Sequence, residues 1–193
     1  MDISRRVIAL RSALLGGGSV PPRTLLTEDD GLAAVMRCFE SFEDVVRYLN
    51  ARRTTPTVCI DCEDAVQDVL YMILKPTVPD LEWENPMPKE ASRSWRPDFN
   101  SNALSMAIDA KFIRDKAHGK RIVAELDEDI AAARELDSCR DVFFFVYDPS
   151  LFIPSVTGLT KHCDGLHDHE GCAVQAHTYV VPTVRQRRAR TTG

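Results

Sequence analysis

Three features of this sequence predict a mixed α/β fold. Some segments repeat apolar residues every three or four positions, and others alternate or run unbroken for about six. The third feature is their order: helix, three strands, helix, strand, strand, which implies one mixed sheet flanked by helices. An N-terminal helical extension precedes it. The 193 residues suffice for one ordinary domain, and 44% hydrophobic with 27% charged residues marks a folded chain rather than a disordered one.

The elements are read in chain order. Residues 3–15 carry Val7, Leu10 and Leu14 at helical spacing, and Gly16, Gly17 and Gly18 end the run. Pro21 and Pro22 extend the break. Two further helices are expected at 31–39 and 42–49. A strong amphipathic helix follows at 61–74, with Val66, Val69, Leu70, Ile73 and Leu74 on its apolar stripe and Pro76 as its stop. Strands are expected at 78–84, 95–100 and 103–112, the last two joined by a turn at Asn100, Ser101 and Asn102. A long helix spans 118–136, with Ile122, Leu126, Ile130 and Ala133 inward. Residues 142–147, Val-Phe-Phe-Phe-Val-Tyr, are apolar on both faces and read as a buried strand. A last strand covers 173–181, after a polar surface loop. The division expected is a helical extension at 1–55, the main domain at 56–183 and a basic tail at 184–193.

Charge and cysteine content narrow the function. No apolar run reaches the length of about 20 residues that a membrane helix needs. Arg11 interrupts the only N-terminal apolar stretch, and no signal-cleavage pattern follows it, so a cytoplasmic protein without membrane contact is expected. Six scattered cysteines are too few for a disulfide scaffold. The net charge of −5 argues against a simple electrostatic nucleic-acid binder, although Arg185, Arg187, Arg188 and Arg190 concentrate positive charge in the tail. That tail suits phosphate contact and a solvated end equally well.

The third strand carries the chemistry. Leu104, Met106, Ile108, Ala110 and Phe112 form one face, and Ala103, Ser105, Ala107, Asp109 and Lys111 form the other. Asp109 and Lys111 therefore project together from an otherwise apolar strand. Asp98 ends the preceding strand, and the turn returns it towards Asp109. Two carboxylates suit Mg²⁺, which takes few protein oxygens and keeps several waters. Such an ion activates water and polarises phosphate oxygens, and a neighbouring ammonium stabilises the developing charge. The bland alternatives are a solvated strand face for Asp109 and Lys111, and a turn residue for Asp98. Glu63 lies at the start of its helix on the inward side, where an acid also suits the helix dipole. Gln67, on the same inward side, suits a buried amide bonded to backbone as well as a catalytic role.

Pro97-Asp98, ten intervening residues, then Asp109-Ala110-Lys111 resembles the PD-(D/E)XK nuclease superfamily, which has the restriction-endonuclease-like fold. The resemblance extends through an ordered series of segments. Residues 63–70 resemble the first core helix of a bacterial branch, and Arg96-Pro97-Asp98-Phe99 its first acidic motif. Lys120, Glu125-Leu126 and Asp129-Ile130 resemble the helix after the lysine. Residues 144–149 and 180–182 resemble its later strands. It spans residues 59–183. It implies metal ligation by Asp98, Asp109 and the Ala110 carbonyl, with Lys111 assisting the attacking water. Glu63 would be an accessory ligand and Glu125 a weaker one. Where this chain has Asp109 the branch more often carries glutamate, and the motif accepts either. The resemblance implies Mg²⁺- or Mn²⁺-dependent endonucleolytic hydrolysis of DNA, with RNA left open. It also suggests a restriction or anti-phage defence role, and a homodimer or a defence-system partner.

Two rivals remain at this point. One is a catalytically silent nucleic-acid-binding or partner-dependent module of the same fold. The other is an interaction protein with a zinc loop, since His162, Cys163, His167, His169 and Cys172 lie close in sequence and Cys59 and Cys62 form a C-x-x-C. Their spacing matches no regular two-plus-two zinc arrangement, and a polar surface loop is the expectation there.

Overall fold

In the computed structural model, residues 28–51, 58–83, 95–136 and 138–182 are described. The first helix expected, at 3–15, and the arginine tail lie outside them. The described elements are α1 (Glu28–Ala51), α2 (Glu63–Leu74), β1 (Glu82–Trp83), β2 (Phe99–Ser101), β3 (Met106–Phe112), α3 (Lys116–Arg134), β4 (Asp141–Tyr147), α4 (Val156–Cys163), β5 (Gly165–His169) and β6 (Cys172–Val181). The mixed α/β expectation holds. The strands form one six-stranded sheet in the order β1-β2-β3-β4-β6-β5.

The centre of the sheet is parallel. β3 pairs with β4, and β4 with β6, in parallel register. A parallel neighbour requires a long crossover, and α3 supplies it between β3 and β4. β1, β2 and β5 join antiparallel at the margins.

Burial on both faces explains the unbroken apolar run of β4. Phe143, Phe145 and Tyr147 share a core with α1 and α2, whereas Val142, Phe144 and Val146 pack with α3 and α4. Phe39 and Phe42 of α1 lie against Phe145, with ring centroids 5.1 and 4.8 Å away. Such contacts add to the area they bury. α1 thus belongs to the same core as β3 and β4. The expected boundary near residue 55 falls outside the described residues.

Several expectations change in detail. The two helices at 31–39 and 42–49 are one helix, α1. Val35, Phe39, Phe42 and Val46 make a continuous buried stripe through Glu40 and Ser41. The Ser41 hydroxyl donates to the Cys38 carbonyl at 2.7 Å, which satisfies it inside the helix. The strand expected at 78–84 is confined to Glu82–Trp83 within the described residues. Val78 and Leu81 are buried in a turn, where the Leu81 N–H donates to the Val78 carbonyl at 3.0 Å. The strand expected at 95–100 begins only at Phe99, and the one at 103–112 only at Met106. Between them Asp80 accepts from the Ser101 hydroxyl and from the Ala103 N–H, at 2.8 and 2.9 Å, and so fixes the turn.

The polar loop expected before the last strand contains α4 and β5. Ser155 caps α4 by accepting from the Gly158 N–H at 3.0 Å. β5 and β6 form a hairpin whose two central residues, Glu170 and Gly171, both have positive φ, 56° and 85°. That backbone matches the twist of the flanking strands. No helix among the described residues is long and apolar enough to cross a membrane.

The placement of α3 depends on one close approach. Gly119 sits under the Phe152 backbone, and a Cβ there would collide with the Phe152 carbonyl. At Gly31 a Cβ would meet only the flexible end of Leu104. Gly119→Ala is therefore expected to lower unfolding stability by about 1–3 kcal/mol, the usual cost of overpacking, and Gly31→Ala by less. Urea titrations of both variants check this.

Candidate active site

β2 and β3 part company after a short pairing, and the site forms where they separate. Their register ends at Phe99 opposite Ile108. Beyond that point β3 has lost its neighbour on this side. The Asp98 carboxylate takes its place, and its Oδ2 accepts from the Ala110 N–H at 2.6 Å. Two residues on, the Phe112 N–H donates to Glu63 Oε2 at 3.4 Å. Backbone donors left by β2 are thus met by carboxylates from a loop and from the N-terminus of α2.

Asp98 is held from a second direction by α2. Gln67 Nε2 donates to Asp98 Oδ1 at 2.7 Å. Its partner is a site carboxylate rather than backbone. Burial pushes the Asp98 carboxyl up to about 6, against the lowering effect of the Ala110 N–H, and the charge of Glu63 adds to the rise.

Asp109 and Lys111 share the opposite face of β3 from Ile108 and Ala110, as the alternation implied. That face is not solvated: Ala107 packs with α3, and Asp109 is only 5% exposed. Lys111 Nζ lies 2.6 Å from Asp109 Oδ2 and 2.9 Å from Asp129 Oδ2 of α3. Both oxygens are buried, and the Lys111 ammonium is the partner that the described residues offer them. Burial lifts the Asp109 carboxyl well above the ordinary carboxylate range; Lys111 opposes this, and the charges of Asp98 and Asp129 reinforce it. Burial alone would lower the Lys111 ammonium, yet Asp109 and Asp129 outweigh it and hold its pKa above the usual value.

Asp98, Asp109 and Lys111 are therefore brought together, with Ala110 joined to them through its N–H. Glu63 stands beside them, exposed. Glu125 does not reach the group, because its Oε2 lies 3.1 Å from His118 Nε2. Asp129, named above only in the segment that resembles the helix after the lysine, belongs to the group as well. Its signal was available: Leu126, Asp129, Ile130 and Ala133 recur at the spacing of the inward stripe, so a carboxylate there faces the sheet.

The donor set fits a divalent cation. Asp98, Asp109 and Asp129 stand about one ammonium, and with all three ionised they would exceed it by two negative charges, which burial resists by raising the Asp98 and Asp109 carboxyls and which a divalent cation would balance. Asp109 Oδ2 has the Lys111 ammonium against it and could turn part of its lone-pair density to a cation. Among the described residues no three His, Cys, Asp or Glu side chains form a ready-made cage. Mg²⁺ needs none, since one or two carboxylates and waters suffice.

The His/Cys segment behaves differently. His162 Nε2 lies 2.9 Å from Asp127, and His167 Nε2 lies 2.7 Å from the Cys163 carbonyl. Cys163 is buried, and Cys59, Cys62 and Cys172 are exposed free thiols. These side chains do not converge.

Compared with known proteins, residues 33–179 match the model of the DpnII-MboI restriction endonuclease family, REase_DpnII-MboI. No curated protein matches, and no solved structure does. The mixed six-stranded sheet, with four helices on its faces among the described residues, is a restriction-endonuclease-like arrangement.

Removing the Lys111 ammonium leaves the buried Asp109 and the half-buried Asp129 without the cation between them. Lys111→Met is expected to destabilise the metal-free protein at pH 8 by roughly 3 kcal/mol, within the range for breaking a buried pair. Urea unfolding in EDTA measures it. The same titrations carry a pH signature. A carboxyl whose folded pKa is raised binds more protons folded than unfolded, so its contribution to stability is present at low pH and lost as pH rises through about 6. The urea midpoint of the metal-free protein should rise as pH falls from 7 to 5, and Asp98→Asn should reduce that rise.

Proposed function

The chain belongs to the DpnII-MboI restriction endonuclease family, and from that premise we propose that it is a divalent-metal-dependent endonuclease of DNA. The observation that supports this most is the group Asp98, Asp109, Lys111, in which a buried carboxylate and a half-buried one stand beside one ammonium, a set that suits a divalent cation. Asp98, Asp109 and the Ala110 carbonyl are the ligands proposed for Mg²⁺ or Mn²⁺, with Glu63 as an accessory acid beside them. When bound, the ion polarises a phosphate oxygen and lowers the pKa of a water.

This chain's residues supply the rest. Gln67 and the Ala110 N–H fix both oxygens of Asp98, which sets the direction of the carboxylate. Lys111 orients the attacking water and offsets the negative charge that builds on the phosphoryl oxygens. Asp129 holds Lys111 from the α3 side, so that the ammonium keeps a partner when Asp109 engages a cation. In the reaction one bond forms from the water oxygen to phosphorus, and the bond from phosphorus to one sugar oxygen breaks. The water gives up a proton and the departing oxygen takes one up. A restriction or defence role, carried out as a homodimer or with a partner protein, accords with the family.

Cleavage of supercoiled plasmid, linear duplex, single-stranded DNA and RNA is the test. With Mg²⁺ or Mn²⁺ the chain should cut DNA, and EDTA should stop it. Asp109→Ala with Lys111→Ala should lower the rate at least about 100-fold. Cutting that survives in that variant would overturn the assignment. Calorimetry offers a second check without turnover. Near pH 6 Mn²⁺ must displace protons from Asp98 and Asp109, so the apparent heat should depend on the ionisation enthalpy of the buffer, and Asp98→Asn should diminish that dependence.

A further inference from the structure

A cavity of about 360 Å³ opens on the α2 side of Asp98. Gln67 and Asp98 form its boundary with the catalytic group, so cavity and site share a wall. The volume lies within the range of small-molecule sites, about 300–1,000 Å³. Among the described residues its other walls are of two kinds. One is aromatic. Tyr71 and Phe99 stack with centroids 6.3 Å apart at 24°, and Trp83 of β1 presents an indole that is 64% exposed. An indole left this open beside a cavity is an unused stacking surface. The other wall is acidic. Asp64 and Asp68 stand one turn apart on α2, exposed, and neither has a hydrogen-bond or ion-pair partner among the described residues.

Together these walls select a flat aromatic ring that carries N–H donors. They disfavour phosphate, which the carboxylates repel. Resting on the endonuclease reading above, we propose that the cavity receives an unpaired nucleobase of the bound strand, next to the scissile phosphate, and prefers a base with an exocyclic amino group. Trp83 and Tyr71 supply the stacking faces, and Asp64 and Asp68 accept from the amine. A base within its duplex presents an edge but not its faces, so the occupant has left its pair. Cytosine and thymine separate the two effects. Both are pyrimidines: at position 4 cytosine has an amine and thymine a carbonyl oxygen that a carboxylate repels, while thymine's own donor, its N3–H, lies between two carbonyl oxygens and its C5 carries a methyl group.

The experiment uses the full chain with Trp95→Phe, which leaves Trp83 as the sole tryptophan of the two in the sequence. Single-stranded (dC)₈ and (dT)₈ are titrated in Ca²⁺ buffer, with strand integrity checked on a gel. Trp83 fluorescence reports the cavity, and anisotropy of labelled strands reports binding as such. (dC)₈ should quench Trp83 and bind about tenfold more tightly than (dT)₈. Asp64→Asn with Asp68→Asn should reduce that gap to less than twofold, and Trp83→Ala should weaken (dC)₈ about tenfold. Free dCMP should bind at least tenfold more weakly than (dC)₈. Equal affinity for (dC)₈ and (dT)₈, binding that leaves Trp83 fluorescence unchanged, no binding of either strand at millimolar concentration, or dCMP binding as tightly as (dC)₈ would each overturn the proposal. Mn²⁺ calorimetry on the same protein keeps the two readings apart. Mn²⁺ binding that depends on Asp98 and Asp109, with the cavity silent, removes the base site and leaves the endonuclease. A cytosine preference without Mn²⁺ binding removes the metal-dependent endonuclease and leaves a base-binding protein.

Discussion

Strand β3 is covered on both faces, and every charged side chain in its second half must be neutralised inside the protein. α1 and α2 pack on one face and α3 on the other. An ionised carboxylate at Asp109 is therefore an expense that a solvated strand would not incur. Lys111 offsets part of it, and Asp129 draws the same ammonium towards α3. Both carboxylates thus share one ammonium. The fold consequently builds a place where positive charge is in deficit, on a strand too well packed to move away from it. A divalent cation is the simplest species that corrects the deficit.

The second constraint is the early end of β2. Had it run alongside the whole of β3, the Ala110 and Phe112 N–H groups would have been consumed by the ladder. Instead they point at Asp98 and Glu63. One separation of strands thus accomplishes two things. It delivers Asp98 to the flank of Asp109, and it opens the space beside α2 into which Trp83 and Tyr71 look. The antiparallel margin of the sheet makes this cheap, because β2 and β1 have few ladder bonds to lose.

Much of this was legible in the sequence because it rests on local periodicity. The alternation in β3 put Asp109 and Lys111 on one face, and the unbroken Val142 to Tyr147 run announced burial on both sides of β4. What the alternation could not convey was the second cover on β3: Ala107, the small residue that lets α3 approach, looks like a neutral surface choice. Asp129 was passed over for the same reason, since a carboxylate on an inward stripe makes sense only when its cation on another element is known. Gln67 needed a partner thirty-one positions away. The break expected between residues 39 and 42 is absent because the packing of Phe39 and Phe42 carries α1 straight through it. The hairpin of β5 and β6 escaped because Glu170-Gly171 is a less familiar turn pair than Asn-Gly.

The acidic balance of the chain, −5 overall, fits the proposed activity better than it first suggests. A protein that grips DNA by broad electrostatics needs a basic face and binds wherever the phosphates lie. Here the buried group around Asp109 repels phosphate until a cation neutralises it, and Asp64 and Asp68 extend that repulsion along α2. Under the endonuclease reading, metal and substrate therefore enter as a linked pair. Each lowers the electrostatic cost of the other, as reciprocity of coupling demands. Affinity for a strand without metal would be weak, and contacts beyond phosphate, with bases above all, must carry more of the recognition.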